Sequence, residues 1–337
     1  MSITDIRSPS LSPLRAWGEL VLLSVRRQAR MRQMVWIALA LLSLVVLAVG
    51  MVTYFETWEL TNRRARLPFV RPTSTKSAPQ QQPTGPPPPT PRYRPLTYMQ
   101  TVEATNATLM RMGATDAVGS AIMAGVRAAL PKTAFVIFSR WVVFAIFQSF
   151  LMPLLTLSFA TDALGGEREN RTLTWLFTRP LPKPSVYLAK YVAALPWCIG
   201  FNVLGFAAIC LAAGEPGRLA LRLFWPAVIW GSIAYAALFH LIAATFRRPA
   251  VVGLIYSFFF ETLVGDLPGD LKRMSLSFYI RSLMFDSISG LGASSDQFTV
   301  YNPVGGWTAW GVLAGAAVTF TLIGMIVFSR TEYREDV

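Results

Sequence analysis

Apolar residues in this chain come in blocks of the length a helix needs to cross a bilayer, roughly 20 residues for a hydrocarbon core of roughly 30 Å. Backbone in lipid has no water to bond with, so each block must close its hydrogen bonds internally, as a helix does. Six blocks can be drawn: Val35–Phe55, Trp141–Thr161, Val192–Ala213, Leu223–Phe246, Ala250–Leu267 and Trp307–Ser329. The chain is 53% hydrophobic and only 15% charged, whereas soluble domains are about 25% charged. The expected fold is an all-α polytopic membrane protein with six transmembrane helices. Its net charge of +13 does not point to nucleic acid. The basic residues sit in loops beside apolar blocks and no nucleic-acid-binding motif is present, so the bilayer and its anionic lipids are the expected partner.

Lys and Arg in short loops mark the cytoplasmic side. With the N-terminus inside, the cytoplasmic pieces carry 15 and the short external pieces five. The long segment Glu56–Arg140 carries eleven more, but long loops barely count in this rule. Both termini are therefore expected in the cytoplasm. Before the first block, residues 1–34 are too long and basic for a secretory signal. Leu14, Trp17, Val21, Leu22 and Val25 recur at helical spacing ahead of Arg26, Arg27, Arg30 and Arg32. That pattern fits a helix lying in the cytoplasmic interface. Outside, residues 71–95 are rich in Pro, Gln, Ser and Thr and read as an extended spacer. Residues 98–130 regain helical periodicity and are expected to form external helices. Residues 268–306 read as an external segment with a re-entrant helical turn.

The most informative segment is Asp162–Lys190, DALGGERENRTLTWLFTRPLPKPSVYLAK. Gly165 and Gly166 can release the second span. Glu167 and Glu169 suit the start of a helix and Arg179 its last turn. Pro180, Pro182 and Pro184 end the helix and stiffen the return to the membrane. The result is a short cytoplasmic helix with Leu173, Leu176 and Phe177 on one side, tethered at both ends and suited to a groove on a soluble partner. The run from Gly166, Glu167, Glu169, Thr172, Leu173 and Leu176 through Arg179-Pro180-Leu181-Pro182-Lys183 to Leu188-Ala189-Lys190 resembles the permease subunits of ABC-2 type transporters. Phe258-Phe259-Phe260-Glu261 and Leu267-Pro268-Gly269 are similar to the fifth-span and external-turn region of that family.

The resemblance implies a bacterial plasma-membrane protein that pairs with a second permease copy. It also implies a separate cytoplasmic ABC ATPase, which binds ATP-Mg and grips the handle through Glu167, Glu169, Arg171, Thr172, Leu173, Leu176 and Arg179. Most such relatives are exporters, and some anchor larger complexes in the membrane. The long proline-bearing external loop departs from the small members. The chain has no G-x-x-x-x-G-K-[ST], so it cannot cradle nucleotide phosphates as a P-loop does. No catalytic, cofactor-binding or metal site is expected in it. Cys198 and Cys210 are 12 residues apart in one span, roughly 18 Å along a helix, too far to pair. H-E-x-x-H and G-x-S-x-G are absent, which disfavours a membrane hydrolase. A secondary carrier should show several intramembrane ionisable groups and an internal repeat; only one acid, Glu261, lies well inside a span. By default such an acid is a functional candidate. The plainer expectation is a structural pairing with Arg222, Arg273 or Arg281. His240, the only histidine, is expected to pack and hydrogen-bond. The small residues Gly311, Gly315, Ala316, Ala317 and Gly324 read as a close-packing stripe.

Overall fold

A helix with small residues on several faces can take neighbours all round, and Glu215–Thr245 is such a helix. The computed structural model describes residues 13–29, 36, 39–53, 134–169, 182–264, 271–289 and 302–330. The chain divides into two compact units, Met1–Ala48 with Phe135–Val337, and Val49–Ala134. Of the second unit, residues 49–53 and 134 are described, and the expected external helices of 98–130 fall outside the described residues. No strand occurs among the described residues.

In chain order the helices are α1 (Pro13–Ala29), α2 (Leu39–Thr53), α3 (Ala134–Gly165, helical on to Glu169), α4 (Lys183–Ala212), α5 (Glu215–Thr245), α6 (Pro249–Ile255, continuing over Tyr256–Val264), α7 (Leu276–Ser289) and α8 (Gly306–Arg330). Helices α3, α4, α5 and α8 are long and apolar enough to span a membrane. The blocks expected as the first and fifth spans appear as shorter apolar helices, Leu39–Thr53 and Pro249–Glu261. The segment expected to hold a re-entrant turn contains a short 3-10 turn, Leu271–Met274, followed by α7.

Helix α5 is the hub. Ala220, Ala227, Gly231, Ser232, Ala234, Ala236, Ala237, Ala243 and Ala244 are all buried, and α3, α4, α6, α7 and α8 pack against it. Without a hydrophobic drive between helices in lipid, such small residues admit close backbone approach. Polar bonds add to this. Asn202 of α4 donates to Thr156 Oγ1 of α3 at 2.7 Å and to Ser232 Oγ of α5 at 3.0 Å. The α4–α5 turn depends on Gly214, whose φ of 73° lies in the left-handed region. A glycine there stops α4 cheaply, and Pro216 starts α5 at a position where a missing N–H costs nothing.

Two stretches depart from α-helical register. Ser139–Leu151 of α3 and Tyr256–Val264 of α6 are π-helical. The register is visible in α3, where the Met152 amide donates to the Phe147 carbonyl and Ser149 Oγ to the Phe144 carbonyl, each five residues back. Such widened turns are frequent at functional sites.

The small-residue reading of α8 holds at Gly324. A methyl added there would overlap the Tyr187 hydroxyl and ring carbon Cζ of α4. Gly324→Ala should therefore cost about 1–3 kcal/mol through overpacking, whereas Gly311→Ala, which faces open space, should be near neutral. Unfolding by detergent titration, followed through tryptophan fluorescence, measures the difference.

Candidate coupling segment and lateral cavity

The segment 162–190 leaves and re-enters the bundle at one packed cluster. Leu164 at the end of α3, Val186, Tyr187 and Ala189 at the start of α4, Ala243 and Ala244 at the end of α5, and Phe328 of α8 are buried together with Leu20 of α1. Trp17, Val21 and Met325 pack on its edge. Five helices thus share the root of the proposed handle. Gly165 does not release α3 as expected, because the helix runs on to Glu169. A Cβ at Gly165 would lie 3.3 Å from Pro249 Cγ, so the glycine admits the start of α6 rather than a break. Glu167 and Glu169 lie in this helical extension, while Arg171, Thr172, Leu173, Leu176 and Arg179 fall outside the described residues. Lys183 and Pro184 open α4, where a proline in the first turn needs no N–H partner.

Helix α1 straps this root. The Trp17 indole N–H donates to the Ser185 carbonyl at 3.0 Å. Gln28 Nε2 donates to the Phe159 carbonyl of α3 at 3.4 Å. One end of α1 is thus bonded just after the segment returns, and the other just before it leaves. The buried face is Leu20, Ser24 and Gln28, a spacing of four that the apolar periodicity alone did not single out, because two of the three are polar. Leu22 and Leu23 are exposed.

Glu261 is fully buried near the junction of α6 and α7. Its carboxylate accepts from Tyr256 Oη at 2.7 Å, Ser275 Oγ at 2.6 Å, and the amides of Leu276 at 3.2 Å and Ser277 at 2.9 Å. These hydroxyls and amides hold it. Those amides open α7, so the acid caps a helix and meets the positive end of its dipole. Arg281, one turn further along α7, reaches α3. Its Nε donates to Gln148 Oε1 at 3.3 Å and its Nη2 to Ser149 Oγ at 2.7 Å. His240 behaves as expected of a packed histidine: its Nδ1 lies 3.3 Å from the Ala160 carbonyl, and its ring centroid 4.6 Å from that of Tyr187.

Between the two π-helical stretches lies a cavity of about 120 Å³. Ala145, Ser149, Phe150 and Leu154 of α3 form one wall, and Leu254, Ser257 and Phe258 of α6 the other. The rings of Phe150 and Phe258 meet edge to face at 5.6 Å, and both are partly exposed on the outer surface of the unit. The cavity is therefore apolar, opens sideways, and carries hydroxyls on both walls. Small-molecule sites are usually apolar clefts of roughly 300–1,000 Å³ with a few placed polar groups; this one has that lining on a smaller scale. Neither Ser149 nor Ser257 is marked out in the sequence, because what distinguishes them is the pairing of two helices far apart in the chain.

Four of the helices are long and apolar enough to cross a membrane, and the comparisons with known proteins point to the class. Residues 107–264 match the family model described as "ABC-2 family transporter protein". That stretch, just under half of the chain, contains α3, the whole of 162–190, α4, α5 and α6. The chain is also similar to two proteins described as "Probable ABC transporter permease protein NosY". It is 42% identical to the one from Stutzerimonas stutzeri over 82 residues, covering 23% of this chain and 29% of the relative. It is 30% identical to the one from Pseudomonas aeruginosa over 129 residues, covering 35% of this chain and 47% of the relative. The chain thus spans less than half the length of either relative. Together these matches support the placement of the chain among the ABC-2 type permeases, as a multi-pass membrane protein.

The strap can be tested directly. Trp17→Phe keeps an aromatic ring, smaller than the indole, and removes the N–H bonded to Ser185. Loss of about 1 kcal/mol should speed amide exchange across α1 roughly five-fold, with α5 unchanged. Hydrogen–deuterium exchange in detergent measures this, and unaltered protection would show that packing alone holds α1.

Proposed function

We propose that the chain is the membrane-spanning subunit of an ATP-driven transporter, working as an exporter with a second permease copy and a separate cytoplasmic ABC ATPase. The observation that carries this reading is the ABC-2 family match over 107–264, which encloses both the doubly tethered segment and the helices lining the cavity. The printed name of both relatives, an ABC transporter permease, supports the same reading, and their bacterial sources support a plasma-membrane location.

On this reading the chain binds no nucleotide itself, and ATP-Mg is held by the ATPase. The ATPase grips 162–190, with Leu173 and Leu176 filling a groove and Glu167, Glu169, Arg171, Thr172 and Arg179 forming polar contacts at its rim. The packed root supports this role physically. A lever works only if its base does not give, and here the base is a cluster shared by five helices. The side-opening cavity suits cargo with an apolar part entering from the bilayer.

The test is assembly. The purified chain should carry an ABC ATPase with it, and Leu173→Arg or Glu169→Arg should lower the amount retained at least ten-fold without shifting detergent unfolding of the permease. A wild-type chain that co-purifies with no ATPase would overturn the proposal. Normal assembly and ATP turnover by both variants would remove 162–190 from the interface.

A further inference from the structure

The first turn of α7 bonds to both walls of the lateral cavity. Ser277 is the crossing point. Its amide donates to Glu261 Oε2 of α6 at 2.9 Å, and its carbonyl accepts from Gln148 Nε2 of α3 at 2.9 Å. The link is reinforced on both sides. Towards α3, Arg281 donates to Gln148 and to Ser149, itself a lining residue. Towards α6, Glu261 takes Ser275 and the Leu276 amide, and Ser277 Oγ lies 3.4 Å from the Glu261 carbonyl. Glu261 follows the lining residues Ser257 and Phe258 by about one turn of the same helix.

We propose that Glu261 is a positioning residue that locks the cavity between α3 and α6, with the first turn of α7 as the crosspiece. The inference rests on reading that cavity as part of the transport path. Parting the two walls requires either the Glu261 set or the Gln148–Ser149 set of bonds to break. Bonds to the buried carboxylate are charge-assisted, as are the two from the Arg281 guanidinium to Gln148 and Ser149, and the dipole of α7 favours the acid, so a charged group anchors the crosspiece on each side. Glutamine at 261 would keep the shape but present one oxygen in place of two. One of the two donor pairs, Tyr256 with Leu276 or Ser275 with Ser277, would then face an amide nitrogen that cannot accept.

The experiment uses the full chain in lipid nanodiscs, with Cys198→Ala and Cys210→Ala to remove the native thiols. Phe150→Cys with Phe258→Cys places thiols at the cavity mouth, where the rings now touch. Phe159→Cys with Phe201→Cys, where the α3 and α4 rings stack at 4.6 Å, is the reference pair away from α7. A short bismethanethiosulfonate linker reports the closed fraction of each pair. Glu261→Gln should reduce linking at the mouth at least three-fold and leave the reference pair unchanged. Ser149→Ala should act in the same direction, and decides the matter if Glu261→Gln does not fold. Unchanged linking at the mouth, or an equal fall at both pairs, would overturn the lock, since the second outcome describes a generally loosened bundle. Neither ATPase nor cargo is needed, so the result is independent of whether the transport reading stands.

Discussion

Helix α5 has little surface left for lipid: 78% of its apolar window is buried, against 22% for α8. In a bilayer that burial cannot come from hydrophobic sorting, because lipid tails are as apolar as leucine. It comes from shape. The alanines, Gly231 and Ser232 along α5 let neighbouring backbones approach, and Phe224, Tyr235 and Phe239 fill the gaps between them. Once α5 is surrounded, the ends of α3, α4 and α8 are brought to one place. The root of the segment 162–190 forms there because Ala243 and Ala244 are small enough to let Leu164, Tyr187 and Phe328 close over them.

Shape alone would allow helices to slide past one another, and the buried polar groups remove that freedom. Asn202 fixes α4 to α3 and α5 through Thr156 and Ser232. Glu261 fixes α6 to α7. A buried carboxylate without partners is costly, so any arrangement of α6 that took it away from Ser275, Leu276 and Ser277 would be penalised. The acid therefore specifies a geometry as well as holding it. Arg281 completes the same logic towards α3, where it bonds Gln148 and Ser149.

Much of this was legible in the sequence, and the limits follow from particular residues. Length and apolarity located α3, α4, α5 and α8, because a spanning helix carries its signal in consecutive residues. Glu261 stood out as the one acid well inside an apolar block, but its partners did not. Ser275 and Ser277 lie beyond the block, and a helix start is selected by backbone amides that composition does not reveal. The arginines were the expected partners because charge is visible in a sequence and a free amide is not. Gly165 and Gly166 suggested a break, since glycine is a poor helix former; the contact of Gly165 with Pro249 that overrides this is non-local. For α1, periodicity gave the helix but not its buried face, because Ser24 and Gln28 are buried by a bond and by contact rather than by apolarity.

The placement of these contacts along α3 and α6 has a mechanical consequence. The two helices touch at Gly165 against Pro249, beside the root of the segment 162–190, and again at Gly253 against Leu157. Beyond that they part around the cavity, and beyond the cavity α7 joins them once more. Ser149 and Gly165 are about 24 Å apart along the helix at 1.5 Å per residue, nearly the thickness of the hydrocarbon core. A force applied at the root therefore reaches both cavity walls at once, through a contact in which glycine leaves no side chain to cushion the motion. Because the walls are held at both ends, it cannot simply slide one past the other. It must either tilt α3 and α6 together, leaving the cavity closed, or break the bonds at α7 and open it. Which of the two occurs depends on the strength of the Glu261 and Arg281 bonds relative to the packing at Gly165 and Gly253, two quantities set at opposite ends of the same pair of helices.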